Sequence, residues 1–146
     1  MKKTILSLVA VIAMAFGFAS CEHQSMRSME ITIYPNQWVT TSTTPYYFAT
    51  VNWDELDGDV IDWGTVNAYL IQGGRQNSLP LVTPITYYYD NDNDGIYDQE
   101  YTVAENIRFD IEYGMITFII QDLDGELPED MSSTSPLTFR VVAIGD

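Results

Sequence analysis

Alternating acidic residues in the second half of the chain have the spacing of a cation-binding loop. Asp90, Asp92, Asp94 and Asp98 place carboxylates at loop positions 1, 3, 5 and 9, and Gly95 stands at position 6. A hard divalent cation needs several oxygen ligands that converge on one point, and a glycine permits the sharp turn that brings them together. This spacing predicts a calcium loop.

The segment resembles the calcium loops of EF-hands, dockerins and thrombospondin type 3 repeats. Position 12 is Tyr101 instead of the bidentate glutamate of an EF-hand, and Glu100 stands one position early, so a complete EF-hand is not expected. Side-chain oxygens would come from the carboxylates, with Asp98 in direct or water-mediated contact, and a carbonyl oxygen would come from Ile96. The candidate ligands are Asp90, Asp92, Asp94, Ile96, Asp98 and Glu100.

The same residues also fit a solvated hairpin turn that binds no metal. Aspartate and asparagine are ordinary turn residues, and Asp94-Gly95 is an ordinary turn pair. A bound cation would relieve the repulsion among the five carboxylates and would pin a long loop between two strands, so its expected role is structural. The acidic segments 54–59 and 122–126 lack this spacing and are expected to be solvated turns.

The residue types of this chain give little support for an enzyme. His23 is the only histidine, so histidine-based triads and sites with several histidine ligands are excluded. Paired carboxylates could act as acid and base, but the sequence does not show which of the 21 acidic residues would form a pair. We therefore expect a protein that is not an enzyme.

Aromatic residues offer a second class of function. The chain has three tryptophans and ten tyrosines, and neighbouring rings in the runs 46–47 and 87–89 must point to opposite faces of a sheet. Some rings should therefore face solvent, where they could stack on sugar rings. Carbohydrate binding is the alternative function, without assigned ligand residues, although tyrosine also suits half-buried strands that bind nothing.

The elements that would position these residues are short strands. Apolar residues alternate with polar ones, turn residues recur about every ten positions, and only residues 60–63 suggest a helical turn. Pro84 removes a backbone donor and so predicts an edge strand or a bulge. The pattern predicts an all-β fold, an antiparallel β-sandwich of seven or eight strands, with a partly closed barrel as the alternative. The predicted strands are 30–34, 46–53, 65–71, 81–89, 97–103, 106–112, 115–121 and 137–144.

The N-terminus has the features of an export signal. Lys2 and Lys3 precede an apolar run over residues 5–18, which is too short to span a bilayer. The residues before Cys21 resemble a lipobox, and acylation would explain the only cysteine of an exported chain. We expect a signal peptide at 1–20, lipidation at Cys21, a tether at 21–29 and one β-sandwich domain at 30–146.

Charge limits the partners of the exported chain. Removal of residues 1–20 takes away both lysines, so four arginines remain against 21 acidic residues, a net charge of −17. A surface this negative is repelled by phosphate backbones, so nucleic acid is not an expected partner. Cations are the natural small partners, and the membrane is reached through the lipid. Acidity that merely keeps the protein soluble is the alternative.

Three segments carry a family resemblance. They are 62–70 (DWGTVNAYL), 79–81 (LPL) and 137–144 (LTFRVVAI). These segments resemble those of small uncharacterised lipoproteins abundant in Bacteroidetes. The resemblance implies a cell-envelope domain, anchored most simply in the outer membrane on its periplasmic or surface face, and it transfers no catalytic residue. The expected function is that of an interaction or structural module, with a protein or a glycan as partner.

Overall fold

Two four-stranded antiparallel sheets pack face to face in the computed structural model, which describes residues 24–145. The strand orders are β1-β8-β3-β4 and β2-β7-β6-β5. No strand joins the two sheets in this range, so the predicted sandwich is confirmed and the barrel alternative is wrong. The strands are β1 Ser25–Ile33, β2 Tyr47–Asn52, β3 Thr65–Gln72, β4 Arg75–Ser78, β5 Leu81–Tyr89, β6 Gln99–Glu112, β7 Met115–Asp122 and β8 Leu137–Gly145.

Period-two alternation places the core between the sheets. In β8, Leu137, Phe139, Val141 and Ala143 are buried, while the residues between them are only half-buried. Successive side chains of a strand point to opposite faces, so this pattern gives each sheet one apolar face. The rings of Phe118 in β7 and Phe139 stack with centroids 4.2 Å apart, which joins the two sheets at the centre of the core.

The first strand begins earlier than the sequence predicts. The sequence pattern predicts a tether over residues 21–29 and a strand that begins at Glu30. In the structure β1 begins at Ser25, which pairs with Gly145. The reason is backbone pairing with β8, which does not depend on an apolar side-chain pattern. Arg27 adds an ion pair of 2.7 Å to Asp57. The signal peptide and Cys21 lie outside the described residues.

Two further strands, β6 and β4, differ from the sequence prediction. Residues 97–103 and 106–112 are predicted as separate strands, but β6 runs without a break from Gln99 to Glu112. Glu105 interrupts the apolar alternation and yet points inward, which explains the error. The sequence pattern does not predict strand β4, because all of its side chains are polar. The edge position predicted from Pro84 is confirmed, since β5 is the last strand of its sheet.

A short helix closes one end of the sandwich. Helix α1, Gly58–Trp63, is capped by Asp57, whose carboxylate accepts the backbone N–H of Val60. Val60 is buried against the end of β8, and the backbone N–H of Gly64 donates to the Val60 carbonyl. The predicted helical turn is therefore confirmed. Among residues 24–145, no helix has the length and apolar character needed to cross a membrane.

The two ends of the sandwich carry different features. At one end, which we call the base, the start of β1 pairs with the end of β8, α1 packs on the end of β8, and the hydroxyl of Tyr113 in the β6–β7 turn donates to Asp62. At the other end, the β5–β6 hairpin extends beyond the core and carries residues 90–98 at its tip. Thirteen residue steps along β6 separate the two ends by roughly 40 Å.

Candidate functional site

The tip of the β5–β6 hairpin is a tight loop organised by aspartate side chains. The Asp90 carboxylate accepts the backbone N–H of Gly95 at 2.7 Å and that of Asp94 at 3.1 Å. The Asp94 carboxylate in turn accepts the N–H of Ile96 at 2.8 Å. Asn93 and Gly95 adopt the left-handed conformation, with φ of 59° and 86°. This conformation favours asparagine and glycine, so the local sequence fits the turn.

Three of the candidate ligands come together in this loop. One oxygen each from Asp90, Asp92 and Asp94 lies within 4.8 Å of the other two. Calcium–oxygen distances are about 2.3–2.6 Å, so two ligands on opposite sides of the ion lie about 5 Å apart. Three oxygens this close together could share one cation of this size, although exposed carboxylates also lie this close without an ion. Each oxygen has two lone pairs, so the bonds from backbone N–H groups leave capacity for a cation.

The remaining candidate ligands are placed differently. Asp98 and Glu100 are outside the group of three carboxylates that the described residues form. The Asp98 carboxylate accepts the side-chain amide of Gln99 at 3.3 Å, and Glu100 lies in β6 opposite Tyr88. Ile96 contacts the group through its backbone N–H. A cation at this loop would therefore take three side-chain ligands, and water would complete its coordination.

Asp90 keeps its negative charge at neutral pH. The backbone N–H of Gly95, with a smaller contribution from that of Asp94, lowers the pKa of Asp90 below its ordinary value of 3.8. Backbone donors stabilise the charged form of a carboxyl group, which is the cause of this direction. Asp92 and Asp94 are exposed. The loop therefore holds the Asp90 carboxylate in its charged form and leaves the carboxylates of Asp92 and Asp94 open to a cation from solvent.

A groove lies beside this loop. It has a volume of about 350 Å³ and is lined by two tyrosine rings and three hydroxyl-bearing residues, which are Tyr88, Tyr97, Ser132, Ser133 and Thr134. Tyr97 belongs to the acidic loop and is 65% exposed. The other wall is held against β5 by a backbone bridge between Tyr87 and Thr134. Aromatic faces beside hydroxyl groups can stack on a sugar ring and hydrogen-bond its hydroxyls.

A buried polar pair fixes the wall of the groove from beneath. The Tyr87 hydroxyl donates to Oε1 of Glu105 at 2.8 Å and lies 3.8 Å from the sulfur of Met131. Glu105 is fully buried, and among the described residues its Oε2 has no hydrogen-bond partner. Met131 is also fully buried and begins the 3₁₀ turn Met131–Ser133 that precedes Thr134. The pair therefore holds this turn in place.

Burial controls the ionisation of this pair. Desolvation raises the pKa of the Glu105 carboxyl, and the nearby charges of Asp122 and Glu129 raise it further, while the Tyr87 hydrogen bond opposes both. The pKa of Tyr87 is also raised, first by desolvation and then by Glu105. Tyr101 stacks on Tyr87 at 5.6 Å, and desolvation followed by Glu129 raises its pKa to about 12.

Sequence reasoning missed Glu105, Tyr97 and the 132–134 turn as parts of one region. A signal for Glu105 exists, because it lies in phase with Val103 and Ile107 at inward positions of an alternating strand. No local pattern indicates that residues 132–134 meet Tyr97, since 35 or more positions separate them in the sequence. Two of the tryptophans, Trp38 and Trp53, are buried in the core.

Comparison with protein-family models, with curated proteins and with solved structures finds no match to this chain. The site is therefore interpreted from its own geometry and chemistry.

Proposed function

We propose that this chain is a non-enzymatic binding module of the bacterial cell envelope, anchored by lipid on Cys21 and related to the small Bacteroidetes lipoproteins that it resembles. The proposal is supported by the positions of the base and of the acidic loop at opposite ends of the sandwich. The described chain starts at the base, and the acidic loop with its groove lies roughly 40 Å away at the opposite end. An anchor in the outer membrane would thus hold the base near the lipid and present the loop to a partner.

Calcium is the cofactor that the loop geometry supports. The three carboxylate oxygens have a spacing that suits this ion, and the loop lies between two strands whose ends it would fix. A bound ion would neutralise charges that otherwise repel one another. Because Tyr97 belongs to the same loop, calcium would also fix one wall of the groove.

Carbohydrate binding is the second candidate function, and the groove is the observation that favours it. Tyr88 and Tyr97 offer ring faces, and Ser132, Ser133 and Thr134 offer hydroxyl groups within one concave surface. Uncharged sugars are not repelled by the strongly acidic surface as phosphates are. Calcium at the loop would act on this function indirectly, through the position of Tyr97.

A protein partner would use a different feature. In residues 24–145, β1 ends its sheet and pairs only with β8, so one edge of β1 is free for strand addition. This partner would bind through backbone hydrogen bonds and would not need the groove. A substitution that alters only the groove should therefore weaken the binding of a glycan and leave the binding of a protein partner unchanged.

A glycan-binding screen of the purified chain, in calcium and in EDTA, tests whether the groove binds carbohydrate. We expect retention of a glycan in calcium, a loss of about tenfold or more in affinity for Tyr97→Ala, and no change for the matched control Trp63→Ala. Trp63 is an exposed aromatic residue at the base, far from the groove. Failure to retain any glycan would refute carbohydrate binding and favour a protein partner. Unmodified Cys21 in protein from the native host, measured by mass spectrometry, would refute the anchor.

A further inference from the structure

The base carries three exposed apolar side chains that the proposed site does not use. Trp63 is 77% exposed, Met26 is 75% exposed and Tyr113 is 58% exposed. Large apolar groups exposed together at one place on a soluble domain commonly mark a contact surface. These residues, which we call the base surface, come from the end of α1, the start of β1 and the β6–β7 turn.

Strand pairing places the three residues at one end of the molecule. Ile144 in β8 pairs with Met26 on one side and with Thr65 on the other, and Thr65 follows Trp63 by two residues. The Tyr113 hydroxyl donates to the Asp62 carboxylate at 2.6 Å, which holds this ring beside the end of α1. The base surface is thus assembled from segments far apart in sequence.

The length of chain between the base and Cys21 limits how far the base can be from a lipid anchor. Four residue steps separate Cys21 from Ser25, and a fully extended chain covers at most about 14 Å in that number of steps. The interfacial layer of a bilayer is itself several ångströms thick on each side. An acyl group on Cys21 would therefore keep the base within reach of the lipid headgroups.

We propose that the base surface lies in the headgroup layer of the membrane, with the Trp63 ring in the interface. Tryptophan and tyrosine favour this environment because their rings are apolar while their N–H and O–H groups remain hydrogen-bonded. This inference rests on the acylation of Cys21 in the proposed function. It adds a defined contact surface, and hence a fixed orientation of the sandwich on the membrane.

Charge at the base selects the kind of lipid. Asp57 is paired with Arg27, and the Asp62 carboxylate accepts the Tyr113 hydroxyl. The exposed carboxylates that remain at this end repel anionic headgroups, so the partner is a zwitterionic lipid surface. They are Asp54, Glu55, Asp59 and Glu112.

Tryptophan fluorescence tests the contact directly. Trp38 is 6% exposed and Trp53 is 9% exposed, so among the three tryptophans Trp63 is the reporter of the surface. The full acylated protein is placed on phosphatidylcholine vesicles whose acyl chains carry bromine. We expect the bromine to quench Trp63 and the vesicle to shield it from aqueous acrylamide by about twofold or more. The quenching should disappear in Trp63→Phe and persist in the control Tyr97→Ala.

Each outcome decides the inference. The sample is first shown by mass spectrometry to be acylated on Cys21. If Trp63 is then neither quenched by bromine nor shielded from acrylamide, the lipid contact is overturned and the anchor is not. Unmodified Cys21 overturns the anchor and this inference together. Trp63 that is shielded in the soluble Cys21→Ser protein, with a dimer in analytical ultracentrifugation, identifies a second copy of the chain as the occupant and overturns the lipid contact.

Discussion

The hydroxyl of Tyr87 donates a hydrogen bond of 2.8 Å to the fully buried carboxyl of Glu105, directly beneath the turn that forms one wall of the groove. A carboxyl group in an apolar core is costly unless it is hydrogen-bonded, and Tyr87 is the one partner that Glu105 has within residues 24–145. The stability of the sandwich near the groove therefore depends on this pair.

Removal of the donor should destabilise the fold. Tyr87→Phe keeps the ring and its stack on Tyr101 but leaves the Glu105 carboxyl without a donor. We expect the free energy of unfolding, measured by urea denaturation, to fall by about 2 kcal/mol. Tyr69→Phe is the matched control, because that ring lies in β3 of the other sheet, and it should change the value by less than about 0.5 kcal/mol. Equal effects would contradict the proposed role of the pair.

The raised pKa of Glu105 should make stability depend on pH. Because burial raises this pKa above its ordinary 4.5, the folded protein binds more protons than the unfolded chain as pH rises above that value. Stability contributed by the protonated carboxyl is therefore lost as pH rises from 4.5 through the folded pKa. Glu105→Gln keeps an acceptor for Tyr87 but cannot ionise.

Urea denaturation of both proteins at about pH 5 and about pH 8 measures this effect. We expect the stability of Glu105→Gln relative to the natural protein to be greater at the higher pH. A difference that is the same at both pH values would show that Glu105 is ionised in the folded protein throughout this range.

Calcium should raise the melting temperature of the chain. An ion that binds only the folded state stabilises it, and at ten times its dissociation constant the shift is about 5 °C relative to EDTA. Asp92→Ala should abolish most of this shift, because it removes a ligand oxygen, and should leave melting in EDTA unchanged or slightly higher, because it also removes one of the crowded charges. Asp124→Ala, in the exposed 122–126 turn, should keep the full shift.

A calcium-independent melting temperature for the natural protein, together with unchanged melting of Asp92→Ala, would make the loop an ordinary hairpin turn. Magnesium provides a second control, since it requires a more regular octahedral site and should produce the smaller shift.

The end of α1 should not tolerate a side chain at Gly64. A Cβ atom there would lie 2.1 Å from the Ile144 carbonyl oxygen and 2.9 Å from Val60 backbone atoms. We expect Gly64→Ala to lower the free energy of unfolding by about 3 kcal/mol, measured by urea denaturation. Gly58→Ala is the matched control at the start of the same helix, where the nearest atoms are 3.7 Å away. Its effect should be within about 1 kcal/mol and is expected to be stabilising.

Local sequence patterns determined the fold class and the position of the acidic loop. Alternation with a period of two predicts strands and their inward faces, as the buried residues of β8 confirm. The aspartate spacing around Gly95 predicts a loop whose carboxylates converge, and Asp90, Asp92 and Asp94 do so. The strand faces are thus confirmed, and three of the six candidate ligands lie together, because the interactions involved lie within a few residues of one another. Calcium binding stays a prediction.

Long-range pairing decided what the local patterns could not. The strand orders bring Arg27 to Asp57, Tyr113 to Asp62, and the turn at 132–134 to Tyr97. Alternation states which face of a strand is apolar, but it does not state which strand lies beside it or where a polar edge strand such as β4 begins. Strand order and strand bounds are set by backbone hydrogen bonds, which do not depend on side-chain type, together with the fit of the two apolar sheet faces. The groove, the buried Glu105 and the base surface therefore exist only in the folded chain.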